Sequence, residues 1–346
     1  MMTFPARSRW LRVAVALVVV ALALVPLVGA STYSVVVLTG VLSYALLAMS
    51  ISLVAGHTGL LTLAHAAYAG VASYAVALLS RAVTTDALLQ LLAAVGAGAG
   101  VAALSGWIAV RASKTYFLML SLAIGELLHV LALQWRSLTH GSDGLSAGQP
   151  FTVLGSGPIV LSGYVYWVCL AVVVVFGAVV VAVVRSPFGA ALRGIRDNEP
   201  RMRSLGYPTS WYKYGAWVLS GAVAGASGWV AVAQLPRFVA PDALSFHVAG
   251  LLLLAVVIGG LESLWGACLG AAFVALMTNV VSQDLGGHGP LLLGVLFVVA
   301  VYVLPRGLAG IGRRHRDRPA GLVPDAEAGP SPVDSGVDDS PRSVPA

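Results

Sequence analysis

IVLSGYVYWVCLAVVVVFGAVVVAVV, residues 159–184, runs for 26 residues without a charge, and Arg185 follows directly. An α-helix rises about 1.5 Å per residue, so crossing a hydrocarbon layer takes about 20 apolar residues. Lipid supplies no partner for backbone N–H and C=O groups, so a run of this kind in a membrane is a helix. The rest of the chain repeats the pattern. Candidate spans are 13–30, 34–55, 60–80, 87–110, 116–134, 159–184, 214–234, 245–260, 263–283 and 289–305. The run 245–283 is broken only by Gly259-Gly260-Leu261-Glu262, which makes its two halves short pieces of a broken or re-entrant helix.

Composition agrees. Of 346 residues, 58% are hydrophobic and 10% charged, with a mean hydropathy of +0.90. A soluble domain carries about 25% charged residues. The chain therefore reads as an all-α polytopic membrane protein of about ten transmembrane helices, eight at the fewest. The net charge of +6 comes from arginine, since Lys114 and Lys213 are the two lysines. In membrane proteins basic residues gather in cytoplasmic loops, so the charge implies no nucleic acid. Cys169 and Cys268 both lie in apolar runs and read as buried residues rather than a disulfide or a metal site.

Charge sets the orientation. Arg7, Arg9 and Arg12 place the N-terminal tail, 1–12, in the cytoplasm. The pattern Arg-rich head, apolar run, Gly29-Ala30-Ser31 also resembles a secretory signal peptide, but the span count favours a retained first helix. The fourth, sixth and tenth crossings then end at basic clusters: Arg111 with Lys114, the 185–213 loop, and Arg306 to Arg318. Other crossings end at single arginines, Arg81, Arg136 and Arg237. The expected layout is a transmembrane domain over 13–305 and a cytoplasmic tail over 306–346, basic and then disordered.

Several motifs bear on function. Gly96-Ala97-Gly98-Ala99-Gly100, Gly221-xxx-Gly225 with Gly228, and Gly266-xxx-Gly270 have the spacing that lets helix backbones approach. Glu126 is the acidic residue well inside a span, and with His129 it forms Glu-x-x-His on one helix face. That pair reads as a carboxylate bonded inside the bundle or as a proton relay; a di-iron site needs two further Glu and a second copy. Gly56-His57-Thr58-Gly59, with His65 after it, is either an ordinary turn or a broken helix lining a solute path. In the basic loop, Arg193-Gly194-Ile195-Arg196-Asp197-Asn198-Glu199-Pro200 precedes Leu205-Gly206. It reads as a solvated loop or as a short helix capped by Asp197 or Asn198 and presented to a soluble partner. No G-x-x-x-x-G-K-[ST] sequence occurs, so the chain holds no P-loop, and no paired catalytic constellation is present.

Taken in order, these segments resemble the permease subunits of branched-chain amino acid ABC transporters, in the LivM-like branch. The resemblance rests on 44–74, with Gly56, Gly59, His65 and Tyr68; on 121–145, with Gly125-Glu126 and Gly141-Ser142-Asp143-Gly144; on 185–206; and on Gly259-Gly260 with Ser263, Gly266 and Gly270. Departures from the family pattern are Ala64, His140, Pro200, Arg203 and Glu262.

The resemblance implies an ABC importer permease bundle in the bacterial plasma membrane, with both termini cytoplasmic. Its implied partners are two ATPase subunits, a second, LivH-like permease and an extracytoplasmic solute-binding protein. It implies no catalytic residue, metal or cofactor in this chain, since ATP and Mg are held by the ATPases. Arg196, Asp197, Asn198, Glu199, Leu205 and Gly206 would couple to the ATPases. Gly56, Gly59, His65, Glu126, Gly259 and Gly260 would lie along the translocation pathway. Thr139, Gly141, Ser142, Asp143 and Gly144 would form the external gate or meet the binding protein. The cargo would be branched-chain or other hydrophobic amino acids. The competing reading is an ion-coupled secondary transporter using Glu126 and His129, with His65 as a further proton carrier; a multispan enzyme is the third.

Overall fold

The computed structural model describes residues 21–24, 26, 31–112, 114–148, 150–152, 162–234, 237–278 and 294. Four helices come first: α1 (Thr32–Thr58), α2 (His65–Ala82), α3 (Ala87–Ala109) and α4 (Lys114–Gln134). A four-residue α5 (Arg136–Thr139), a 3-10 turn (Gly141–Asp143) and strand β1 (Leu145–Ser146) follow. After α6 (Ser162–Arg185) come the short α7 (Pro187–Asp197) and α8 (Glu199–Ser204), then α9 (Thr209–Ala233). Strand β2 (Phe238–Val239), a 3-10 turn (Pro241–Leu244), α10 (Phe246–Gly259) and α11 (Leu264–Leu276) complete the described chain.

Polar residues at the boundaries explain where these helices begin and end. Ser31 accepts from the Ser34 amide to start α1 at 3.2 Å, and Asp86 accepts from Leu88 N at 2.8 Å to start α3. Ser186, Ser245 and Ser263 cap α7, α10 and α11 in the same way. Gly59, at φ 74°, ends α1 in the left-handed conformation that costs glycine little.

α1, α3, α4, α6 and α9 are long and apolar enough to cross a membrane. Their burial divides them into layers. The apolar windows of α1 and α9 are 67% and 78% buried, whereas those of α3, α4 and α6 are 28%, 22% and 28% buried. α1 and α9 are therefore the centre, and the other three surround them with apolar side chains such as Leu92, Leu104, Met119 and Leu127 turned outward. Exposed rings mark both ends of the bundle: Tyr33, Trp135, Tyr164 and Trp167 at one, Trp107, Tyr116 and Trp211 at the other. Aromatic side chains favour the level of lipid headgroups.

Glycine decides the closest packing. A side chain on Gly98 of α3 would collide with the Gly221 carbonyl of α9, and one on Gly225 with the Ala94 carbonyl. Gly228 is pressed likewise on Ala69 of α2, and Gly259 and Gly270 join α10 to α11. Gly96 and Gly100, from the same glycine run as Gly98, face open space.

The expected spans are met with differences. The span 60–80 starts later, at His65, because 60–64 is a non-helical link. α9 begins at Thr209 rather than 214, and the loop 185–213 is largely helical. The second half of 245–283 is helical through Leu276. Spans 13–30, apart from residues 21–24 and 26, and 289–305, apart from residue 294, lie outside the described residues, as do both tails. Of the ten crossings expected, five described helices have the length and apolarity of a membrane span, with α10 and α11 as shorter apolar helices. β1 and β2 pair antiparallel, Leu145 opposite Val239, which adds a small strand pair to an otherwise helical fold. By contacts the chain divides into Met1–Ile311 and Gly312–Ala346, and the described residues fall in the first unit.

Candidate functional site

The basic loop folds as a corner. Ser186 caps α7 and Pro187 occupies its first turn, where a missing N–H costs nothing. Gly189, Ala191, Leu192 and Ile195 are its buried face. Asn198 ends α7 and starts α8, its side chain accepting from Arg201 N at 3.0 Å. Pro200 fits in the first turn of α8, so it bends the path at 198 without preventing a helix. At the far end Gly206 sits at φ 86°, its N–H on the Arg203 carbonyl at 2.9 Å and the Tyr207 N–H on Met202 at 3.1 Å. This double closure is a Schellman motif.

Within the corner, Glu199 is turned toward the bundle. Its Oε1 accepts from Lys213 Nζ at 2.9 Å, Arg203 Nη2 at 2.8 Å and Thr209 Oγ1 at 3.2 Å. Burial works to raise the carboxyl, but the hydrogen bond and charge of Lys213, with Arg203 and Thr209, outweigh it and hold the pKa below the usual value. Glu199 thus ties α8 to the start of α9. Asp197 and Leu205 remain exposed.

Arg196 leaves the loop in the opposite direction. Its Nη1 donates to the Gly56 carbonyl in the last turn of α1, and its Nη2 meets Glu262 Oε1 at 3.0 Å in the turn between α10 and α11. Its Nε also lies 3.5 Å from Asp197 Oδ1. Gly59 lies against the same side chain, with 2.8 Å between Arg196 Cγ and the place a Cβ would take. Gly56 leaves room for the Leu261 carbonyl, to which the Ser52 hydroxyl donates at 2.9 Å. Gly260 supplies the turn, at φ 102°.

The expected pathway residues therefore separate into three places. Gly56, Gly59, Gly259 and Gly260 gather around Arg196 where α1 ends and α10 turns into α11. His65 is deeper and fully buried. Its Nδ1 lies 3.2 Å from Thr62 Oγ1 and its Nε2 2.9 Å from Ser220 Oγ of α9. Tyr68 and Trp217 pack against it and Phe117 packs on Trp217, with Tyr68 Oη 2.6 Å from Ser105 Oγ. The link 60–64 before it is fastened by Leu63 N to Ser121 Oγ at 3.1 Å. Glu126 is elsewhere again, accepting from Phe246 N at 3.1 Å and facing His129 Nδ1 at 3.5 Å. It supplies negative charge to the N-terminus of α10, where the helix dipole favours it.

In the loop after α4, Thr139 is buried, its hydroxyl donating to the Ala132 and Trp135 carbonyls and accepting from Gly141 N at 3.2 Å. His140 and Gly141 are both left-handed, at φ 62° and 63°. Gly144 is closed in by Phe238 and the Val239 carbonyl. Ser142 and Asp143 alone of the five expected gate residues are exposed. Sequence reasoning missed Thr209, Lys213, Ser121 and Ser220; none carries a motif, and each matters through a partner distant in sequence.

Long apolar helices ringed by aromatics, two of them buried at the centre, and a capped helical corner at one end fit a multi-pass membrane protein of the transport-permease class. The family described as "Branched-chain amino acid transport system / permease component" matches residues 33–304, and the chain belongs to it. It is 28% identical over 321 residues to the high-affinity branched-chain amino acid transport system permease protein LivM of Escherichia coli, covering 86% of this chain and 75% of that one. The LivM protein of Salmonella typhimurium is also 28% identical, over 302 residues, covering 81% and 71%. A probable branched-chain amino acid transport permease protein LivH of Methanocaldococcus jannaschii is 24% identical over 135 residues, covering 37% and 42%. No solved structure matches this chain.

Proposed function

We propose that this chain is the membrane-spanning subunit of an ATP-driven importer for branched-chain or other hydrophobic amino acids, in a bacterial plasma membrane with both termini cytoplasmic. It works beside a second, LivH-like permease. An extracytoplasmic binding protein delivers solute near Ser142 and Asp143, and two ATPase subunits, which hold the ATP and Mg, dock on the α7–α8 corner. Family membership across 33–304 carries this reading. The corner adds support: it ends in an exposed, ordered edge with Asp197, Arg201, Leu205 and Gly206, while its apolar face is used within the chain. Passage of solute would involve rearrangement where Gly56, Gly59, Gly259 and Gly260 meet, with His65 and Glu126 holding the flanking helices.

The test is uptake of labelled leucine into vesicles containing the assembled complex and its binding protein. Uptake that needs internal ATP and persists after a protonophore collapses the proton gradient is expected. Uptake driven by the gradient without ATP would instead select an ion-coupled transporter working through Glu126 and His129.

A further inference from the structure

Arg196 belongs by sequence to the loop expected to face the ATPases, yet its side chain is directed into the transmembrane bundle. It stands in the last turn of α7 and reaches two separate elements: the Gly56 carbonyl of α1 and the Glu262 carboxylate between α10 and α11. Those two elements already touch backbone to backbone, since only a glycine at 56 admits the Leu261 carbonyl. The guanidinium suits the place. Its planar fork donates to a carbonyl and a carboxylate at once, and its charge meets the negative end of the α1 dipole.

We propose that Arg196 is the strut that passes movement of the α7–α8 corner to the ends of α1 and α10, with the Gly56 carbonyl and Glu262 as its anchors. The proposal rests on the ATP-driven reading above. A magnitude argues for transmission rather than cohesion: Glu262 is 58% exposed, and ion pairs so open to solvent contribute about 1 kcal/mol or less. Such a pair adds little stability, but it fixes the position of one element relative to another. Gly59 supports the same geometry, because a side chain there would press on Arg196 Cγ.

The experiment uses the complete complex in vesicles and reads solute molecules moved per ATP hydrolysed, for the unaltered protein, Glu262→Gln, Arg196→Gln and the double variant. Glu262→Gln should keep the ATPases bound and the melting temperature unchanged while lowering that ratio by up to about fivefold, the factor that ~1 kcal/mol allows. The double variant should be no worse than Arg196→Gln alone, since both changes cut one link. An unaltered ratio in Glu262→Gln, or losses that multiply in the double variant, would overturn the strut while ATP-driven uptake by the unaltered complex still stood. Uptake without ATP by the unaltered complex would overturn the functional reading and the strut together.

Discussion

Gly206 shows how much one backbone angle can settle. No atom lies within 4 Å of the position its Cβ would occupy, so any cost of substitution there is conformational rather than steric. Gly206→Ala should destabilise the corner by about 1 kcal/mol, and Gly206→Asn by less, because asparagine tolerates the left-handed region. Thermal unfolding in detergent, with recovery of bound ATPase, measures both; an alanine variant as stable as the parent would remove the Schellman closure from the account. Glu199 makes a second prediction at this scale. Its folded pKa is lowered, so its stabilisation is complete above the unfolded carboxyl value of about 4.3 and is lost as pH falls through the lower folded value. Glu199→Gln should therefore cost ~1 kcal/mol, constant over roughly pH 6 to 8 and vanishing in strong acid, as melting curves across pH would record.

At the scale of elements, the glycine run of α3 separates positions that composition alone makes equivalent. Gly98 packs against α9 and Gly100 against nothing. Replacing the facing glycine, Gly225→Val, should cost about 2 kcal/mol by forcing α3 and α9 apart. Gly100→Ala should be neutral or stabilising by up to about 1 kcal/mol, since alanine is the better helix former. Melting temperatures of the two purified variants decide the matter, and equal values would contradict the packing. The apolar runs made the long helices legible, because their signal lies within one segment. Boundaries were legible where a cap supplied them: of the two caps the sequence offers, Asp197 and Asn198, the fold uses Asn198, and Gly206 closes α8. The ion pairs were legible in part. Arg203 lies four residues after Glu199 and announces itself by helical spacing. Lys213 joins only because the chain turns between α8 and α9. Glu262 stood out as a charge beside two glycines, but its partner Arg196 comes from another element altogether.

For the whole molecule, orientation is the property with the largest consequences. The proposed function needs the α7–α8 corner inside the cell and Ser142 outside. In a background lacking Cys169 and Cys268, Ser142→Cys should react with an impermeant maleimide added to intact cells, and Arg201→Cys should react only after the cells are opened. The reverse pattern would invert the topology and remove the docking surface from the ATPases. The family was legible because four segmental matches fell in order along the chain; the division of its glycines and charged residues among three places was not, since that depends on which helices become neighbours. The pairing of β1 with β2 adds a practical consequence: it stitches the segment after α4 to the segment after α9, so an epitope spliced between Ser142 and Asp143 would ride on a seam anchored at both sides and serve antibody imaging as a steady handle rather than a trailing thread.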